Sequence, residues 1–555
     1  MSRINLPQER RVGHLTLHRQ GRKISVREYN LLSAEERLAM IRQAHGKEKY
    51  DLLLNADDAE LLAQHLHPQE LYLTINEVGS EYAIELLMLA NADQITTLLD
   101  LDCWNEDSLS PTLSLHWLAL LLETGPEKVC QLARQIEPEL LALFLKKHLT
   151  IIRGLEAYDD DDAENARRLE SLYDIEYASE DAAKIIGALL QILAQDAQEI
   201  YLLLMEMIRS ETTTVLEEEI YQERNNRLLD LGFAPPHLAR QIYTYLDPAT
   251  FVPGGKKDFA LEADELRHPG ALLARAEPGN LLAEILTGDN SHLLATELFL
   301  LANRKMSADR ADVSSAKEVA QVLQVIYDTL NLALEYLAGK DLSAAEKIFH
   351  STYLLRLFQL GHSLLEKRRQ QARELLDGPL GPFLDYPEQL FLDALGETPP
   401  ALYRPATSDR PSELQSITTR RDLELVDLRL QQIADLQRLF CELLPFRLPE
   451  AEEEPADQPA LSTLLLTAVA NRLLDRSFQP LPLAVEDLPR LKAMTFTEEH
   501  LAQDFRRQLH SLVEQLNANC GFFAEFCLEC WEEDLATVNA AEPDSAPPLC
   551  LLLET

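Results

Sequence analysis

Between Leu61 and Leu149 the apolar pattern of this chain repeatedly stops and restarts, at Pro68, Asn91–Asp93, Gly125–Pro126 and Glu137–Pro138. Helices cut this short are marginal on their own, since an isolated helix needs roughly 12–15 residues to persist in water. Each segment must therefore bury its apolar stripe on its neighbours. That is the logic of stacked helical repeats, in which no unit owns a complete core. The same grammar of caps and stops runs along most of the 555 residues. It predicts an all-α (α-dominant) fold, a stacked helical-hairpin superhelix, with minor short β elements near 14–27 and 149–177.

Local signals place the elements. Ser33-x-x-Glu36, Ser315-x-x-Glu318, Ser343-x-x-Glu346 and Thr495-x-x-Glu498 have the spacing of capping boxes, so each should open a helix. Ser110-Pro111 is a further start, and Gly46, Gly125 and Gly339 are stops. The helix opened at Ser343 is expected to run to Leu376. Leu dominates the apolar residues, which favours helix over strand. His14–His18 and Lys23–Arg27 alternate about Gly21 and read as a hairpin. Leu149–Arg153 and Tyr173–Tyr177 read as a strand pair about the acidic run Asp159–Asp162.

These signals divide the chain into a basic arm (1–48), a helical-repeat domain (49–150) and a helical domain with an acidic loop and an irregular 250–280 segment (151–300). A second helical domain (301–444), an acidic Pro-rich linker (445–460) and a C-terminal helical region with tail (461–555) complete it.

The formal net charge is −41. A surface of that sign repels phosphate backbones, so nucleic-acid binding by the body is disfavoured. The first fifty residues run the other way, with eleven Lys/Arg against five Asp/Glu. The start lacks the apolar core of a signal peptide, and the run at Tyr201–Met205 is broken by Glu206, far short of the roughly 20 residues of a membrane helix. Seven scattered cysteines do not form a disulfide framework. A cytoplasmic location without membrane insertion is expected, with oligomeric state left open.

Two constellations could carry chemistry. Cys520, Cys527 and Cys530, with His500 and His510 upstream, are the candidate metal ligands. Yet a zinc or iron–sulfur centre wants about four convergent ligands, and only one CxxC is present, so thiols packed as small hydrophobes are the competing reading. Glu219, Glu223, Arg224, Arg227 and Asp230 form a charged helix whose spacing puts several side chains on one face. An acid–base pair, an anion clamp or plain ion pairing would each use that spacing. Glu265-x-x-His268 is half of a di-iron helix motif. No dinucleotide fingerprint, phosphate loop, zinc-protease helix or nucleophile elbow occurs, and no cofactor is expected.

Gln69-Glu-Leu-Tyr-Leu-Thr-Ile-Asn-Glu-Val-Gly79 through Trp104, Glu219–Phe233 and Leu360-Gly-His-Ser-Leu-Leu-Glu-Lys-Arg-Arg369 together resemble an uncharacterised bacterial family known only as a domain of unknown function. That resemblance implies neither activity nor site residues. The Leu61–Leu149 repeats are also similar to the armadillo-like N-terminal superhelix of bacterial magnesium channels and to the flagellar switch protein. No ligand residue transfers from either. The expected function is a non-catalytic cytoplasmic helical scaffold or adaptor that binds protein partners through an acidic surface. A divalent-cation or small-ligand sensor is one alternative, and an enzyme of unrecognised type with a pocket between helices is another.

Overall fold

The computed structural model describes residues 3–5, 8–12, 15–19, 23–79, 82–153, 173–257, 270–288, 292–405, 411–450, 458–497, 500–536 and 550–554. Helices dominate, and the described strands occur only as two-stranded pairs. The chain forms two compact units, Met1–Gly361 and His362–Thr555.

In the first unit the short helices pack on their next-but-one neighbours. Gly46–Leu54 packs on Pro68–Val78, which packs on Ala92–Asp102. In parallel, Ala59–Gln64 packs on Ala83–Leu89, and that helix packs on Pro111–Glu123. Two interleaved rows result, and the apolar stripe of each helix is closed by the rows rather than by its sequence neighbour alone. Local chemistry sets the breaks. Asn91 and Gln94 form a reciprocal capping box, and Gly125 takes φ +96° immediately before Pro126.

A buried ion pair crosses one row. The Lys49 ammonium donates to Glu70 with both side chains about 1% exposed, and burial pushes the lysine's pKa down while Glu70 opposes that shift. Next to it Gln69 is buried with both amide atoms unpartnered among the described residues, and Arg275 clamps Glu77 at 2.7 and 3.0 Å. Pairs of this kind cost desolvation and are justified only by close geometry.

Five expectations change. Gly46 opens the helix Gly46–Leu54, after the preceding helix Ala34–Gln43 has ended at Ala44, so it starts a helix rather than stopping one. The segment Leu15–Arg19 pairs with Gln8–Val12, and Lys23–Ser25 pairs with Arg3–Asn5, so the two anticipated hairpin strands do not face each other. Gln8-Glu-Arg-Arg-Val12 carries almost no apolar alternation, which hid it. The helix before Leu376 is broken: Leu342–Ser351 ends at Thr352 and Leu354–Leu376 begins anew, and the first is capped by Asp341 rather than Ser343. Thr495 ends a helix instead of opening one. Its hydroxyl donates to the Leu491 carbonyl and accepts from Trp531 Nε1, and Phe496–Thr497 then pairs with His500–Leu501. The pair Leu149–Arg153 with Asp174–Tyr177 forms as expected, antiparallel. Asp159–Asp162, Glu265 and His268 lie outside the described residues.

Close packing marks Gly361. A Cβ there would stand 2.3 Å from the Thr329 carbonyl oxygen of the Ala316–Ala338 helix. Gly361→Ala should therefore lower unfolding stability by about 1–3 kcal/mol, as overpacking does. Gly396→Ala, which meets nothing within 4 Å, should be near neutral in the same denaturant titration. Equal stability of the two variants would contradict this packing.

Candidate functional site

The charged helix Thr213–Asp230 commits its cations internally. Arg227 donates from Nε to Asp100 Oδ2 at 2.7 Å, from Nη2 to Asp100 Oδ1 at 3.0 Å and from Nη1 to Glu137 Oε2 at 2.8 Å. Arg224 donates to the Asp100 carbonyl at 2.8 Å and lies 5.3 Å from the Trp104 ring centre. Burial raises the Asp100 carboxyl above its ordinary range, and Arg227 opposes that rise. Glu217, overlooked in the sequence, accepts from Leu109 N at 2.8 Å and pairs with Lys147 at 2.6 Å. Glu219, Glu223 and Asp230 face solvent. What this helix does is fasten itself to the stacked rows.

The three candidate cysteines do not converge. Cys520 is buried within the field of Asp435, and its thiol is pushed up to about 12. Cys527 instead shares a neighbourhood with Asp385, Cys530, Cys550 and Glu388, and burial drives its thiol well above the usual range. Thiols that stay protonated are poor nucleophiles. His510 Nε2 lies 2.8 Å from Glu525, and His500 Nδ1 lies 3.9 Å from Glu532. Among the described residues no group of three or more His, Cys, Asp or Glu is arranged to hold a metal ion.

The second unit holds a cleft of about 740 Å³, built from three elements. The helix Tyr386–Gly396 presents Pro387 and Phe391, one turn apart. The antiparallel pair Ala401–Arg404 with Glu413–Ser416 supplies Leu402, Tyr403 and Arg404, with Glu413 directly across from Arg404. The helix Arg420–Arg438 supplies Arg421, Leu425 and Arg429, spaced by four and so in one stripe. That helix is aimed by its capping box: Asp422 accepts from Thr419 N at 3.0 Å and Thr419 Oγ1 at 2.8 Å, while Asp422 N donates back to that hydroxyl oxygen at 3.1 Å.

Three arginines meet at this cleft. Along the same helix Arg420 pairs with Glu424, Arg438 with Glu442, and Asp427 takes Arg368. Arg404, Arg421 and Arg429 make no ion pair among the described residues and are exposed. Of the two carboxylates that line the cleft among the described residues, Asp422 is engaged at the helix start and Glu413 lies across from Arg404. Behind the cleft, Asp385 immediately precedes the Tyr386–Gly396 helix and accepts from Ser462 N at 3.2 Å and from the Ser462 hydroxyl; burial pushes it up to about 6. Glu388, on the same helix, is pushed up to about 7 by burial, aided by the Asp385 charge and opposed by Arg429. Its Oε2 has no hydrogen-bond partner among the described residues. None of these five residues stood out in the sequence, because isolated arginines and acids on amphipathic helices look like solvated surface.

The family described as a family of unknown function (DUF6178) matches residues 26–554. No curated protein and no solved structure matches the chain. Among the described residues no helix is long and apolar enough to cross a membrane.

Glu388 generates a pH signature. Its folded pKa of about 7 lies above the ordinary 4.5, so the native state holds the proton more tightly. The stability this contributes is complete below about 4.5 and is lost as pH rises through 7. At about 1.4 kcal/mol per pH unit the loss is on the order of 3 kcal/mol at most. Glu388→Gln should raise the Tm of the second unit at pH 8.5 and leave it nearly unchanged at pH 4.5. Parallel Tm–pH curves for the two proteins would remove Glu388 as the titrating group.

Proposed function

This chain belongs to the family of unknown function DUF6178, and we propose that it is a non-catalytic helical scaffold that recognises an anionic group through the Arg404–Arg421–Arg429 cleft. The observation that carries the reading is the allocation of charge. In a chain of net charge −41, three arginines converge on one cleft without an ion-pair partner among the described residues. Guanidinium groups present planar forks that match carboxylate and phosphate oxygens, and they stay charged at any working pH. The cleft offers fixed cations and an apolar wall, which suit binding. The buried acids Asp385 and Glu388 lie off the cleft lining, Asp385 held by Ser462 and Glu388 within the field of Arg429. A cytoplasmic site of action belongs to the same proposal.

A titration with inorganic phosphate tests it. The Tm should rise beyond that of a sodium chloride control of equal ionic strength. At ten times Kd the added stability is about 1.4 kcal/mol. The exposed double variant Arg421→Ala/Arg429→Ala should fold normally and lose the response. An undiminished response in that variant would move the anion elsewhere.

The two-row helix stack of the first unit favours a second reading, in which its acidic surface docks basic protein partners. Affinity for such a partner should fall steeply between 50 and 300 mM salt, because surface charges are screened over roughly 10 Å at 0.1 M. Salt-insensitive binding would count against docking by charge.

A further inference from the structure

Resting on the reading of the arginine cleft, we infer that its ligand is a small soluble organic anion with an apolar body: a phosphate or carboxylate head held by the guanidinium groups, and a hydrocarbon segment laid on Leu425. The stripe on the Arg420–Arg438 helix places Leu425 between Arg421 and Arg429, one turn from each. At about 1.5 Å rise per residue the stripe is roughly 12 Å long. Leu425 is 40% exposed, an apolar side chain left wet between two cations. Pro387 and Tyr403 line the same cleft. An inorganic anion would engage the guanidinium groups and leave this apolar surface in water. A ligand carrying both a charged head and an apolar body covers both.

Size and charge select among the possible anions. The volume of about 740 Å³ falls within the range of small-molecule sites. A nucleic acid, an acidic protein or an anionic bilayer would have to bring a broad negative surface against a chain of net charge −41. A small anion meets that repulsion only within a screening length of about 8 Å, where the three arginines dominate locally. Glu413, across from Arg404, disfavours a second negative group at that end.

Isothermal titration of the full chain with n-hexyl phosphate and with inorganic phosphate separates the possibilities. Binding of n-hexyl phosphate at least tenfold tighter than inorganic phosphate, abolished by Arg421→Ala/Arg429→Ala and reduced severalfold by Leu425→Ala, is the expected result. Leu425→Ala should leave inorganic phosphate unaffected. Equal affinity for the two phosphates, lost in the arginine double variant, would overturn the apolar-body inference and leave the anion cleft standing. No binding of either, or binding that survives the double variant, would overturn both. A glutamate-rich peptide, or vesicles containing dioleoyl phosphatidate, binding more tightly than n-hexyl phosphate through the same arginines would replace the small ligand with a macromolecule or a bilayer.

Discussion

Short helices that cannot bury their own apolar faces are the constraint from which the first unit follows. Each break at Pro68, Asn91, Gly125 or Pro138 shortens a helix to the point where only neighbours can close its stripe. The next-but-one packing of Gly46–Leu54, Pro68–Val78 and Ala92–Asp102 answers that need. Stacking then leaves polar groups inside wherever rows cross, and these must find partners or carry a desolvation cost. Lys49 with Glu70, Arg275 with Glu77, and Arg227 with Asp100 are such crossings. They favour one register of the stack over others, because a shifted row would leave a buried charge alone.

The same economy of charge separates structure from candidate function. Arg224 and Arg227 looked free to act when read along one helix, yet their partners Asp100 and Glu137 come from elements about ninety to 127 positions away. In the second unit the pattern reverses. Arg421 and Arg429 sit among acids on their own helix, Glu424 and Asp427, and those acids are taken by Arg420 and Arg368. Three arginines brought to one cleft without an ion pair among the described residues concentrate positive charge there in an acidic chain. Of the buried acids behind the cleft, Asp385 is held by Ser462, whereas Glu388 keeps a raised pKa and an oxygen without a partner among the described residues.

Where sequence reasoning held, the deciding physics was local. The capping pairs Ser33–Glu36 and Ser315–Glu318, the Pro111 start and the Gly339 stop all act within one helical turn. Where it failed, a distant group intervened. Thr495 has capping-box spacing, but Trp531 from another helix claims its hydroxyl. Cys520 lies in the field of Asp435, while Cys550, remote in sequence and absent from the candidate set, joins Cys527 and Cys530. The cleft arginines were invisible because spacing shows that Arg421 and Arg429 share a face but says nothing of what opposes it.

By itself, then, the chain determined its α-dominant class, the helix ends set by local caps such as Ser33, Pro111 and Gly339, and a net charge that governs which large partners can approach, since propensity, capping and Coulomb repulsion depend on composition and near neighbours. Tertiary structure decided which charges are paired, which thiols share a pocket, and that Pro387, Tyr403, Arg404, Arg421, Leu425 and Arg429 line one cleft. Those outcomes depend on contacts between residues far apart in the chain, and no local pattern encodes the distance between two side chains on different elements.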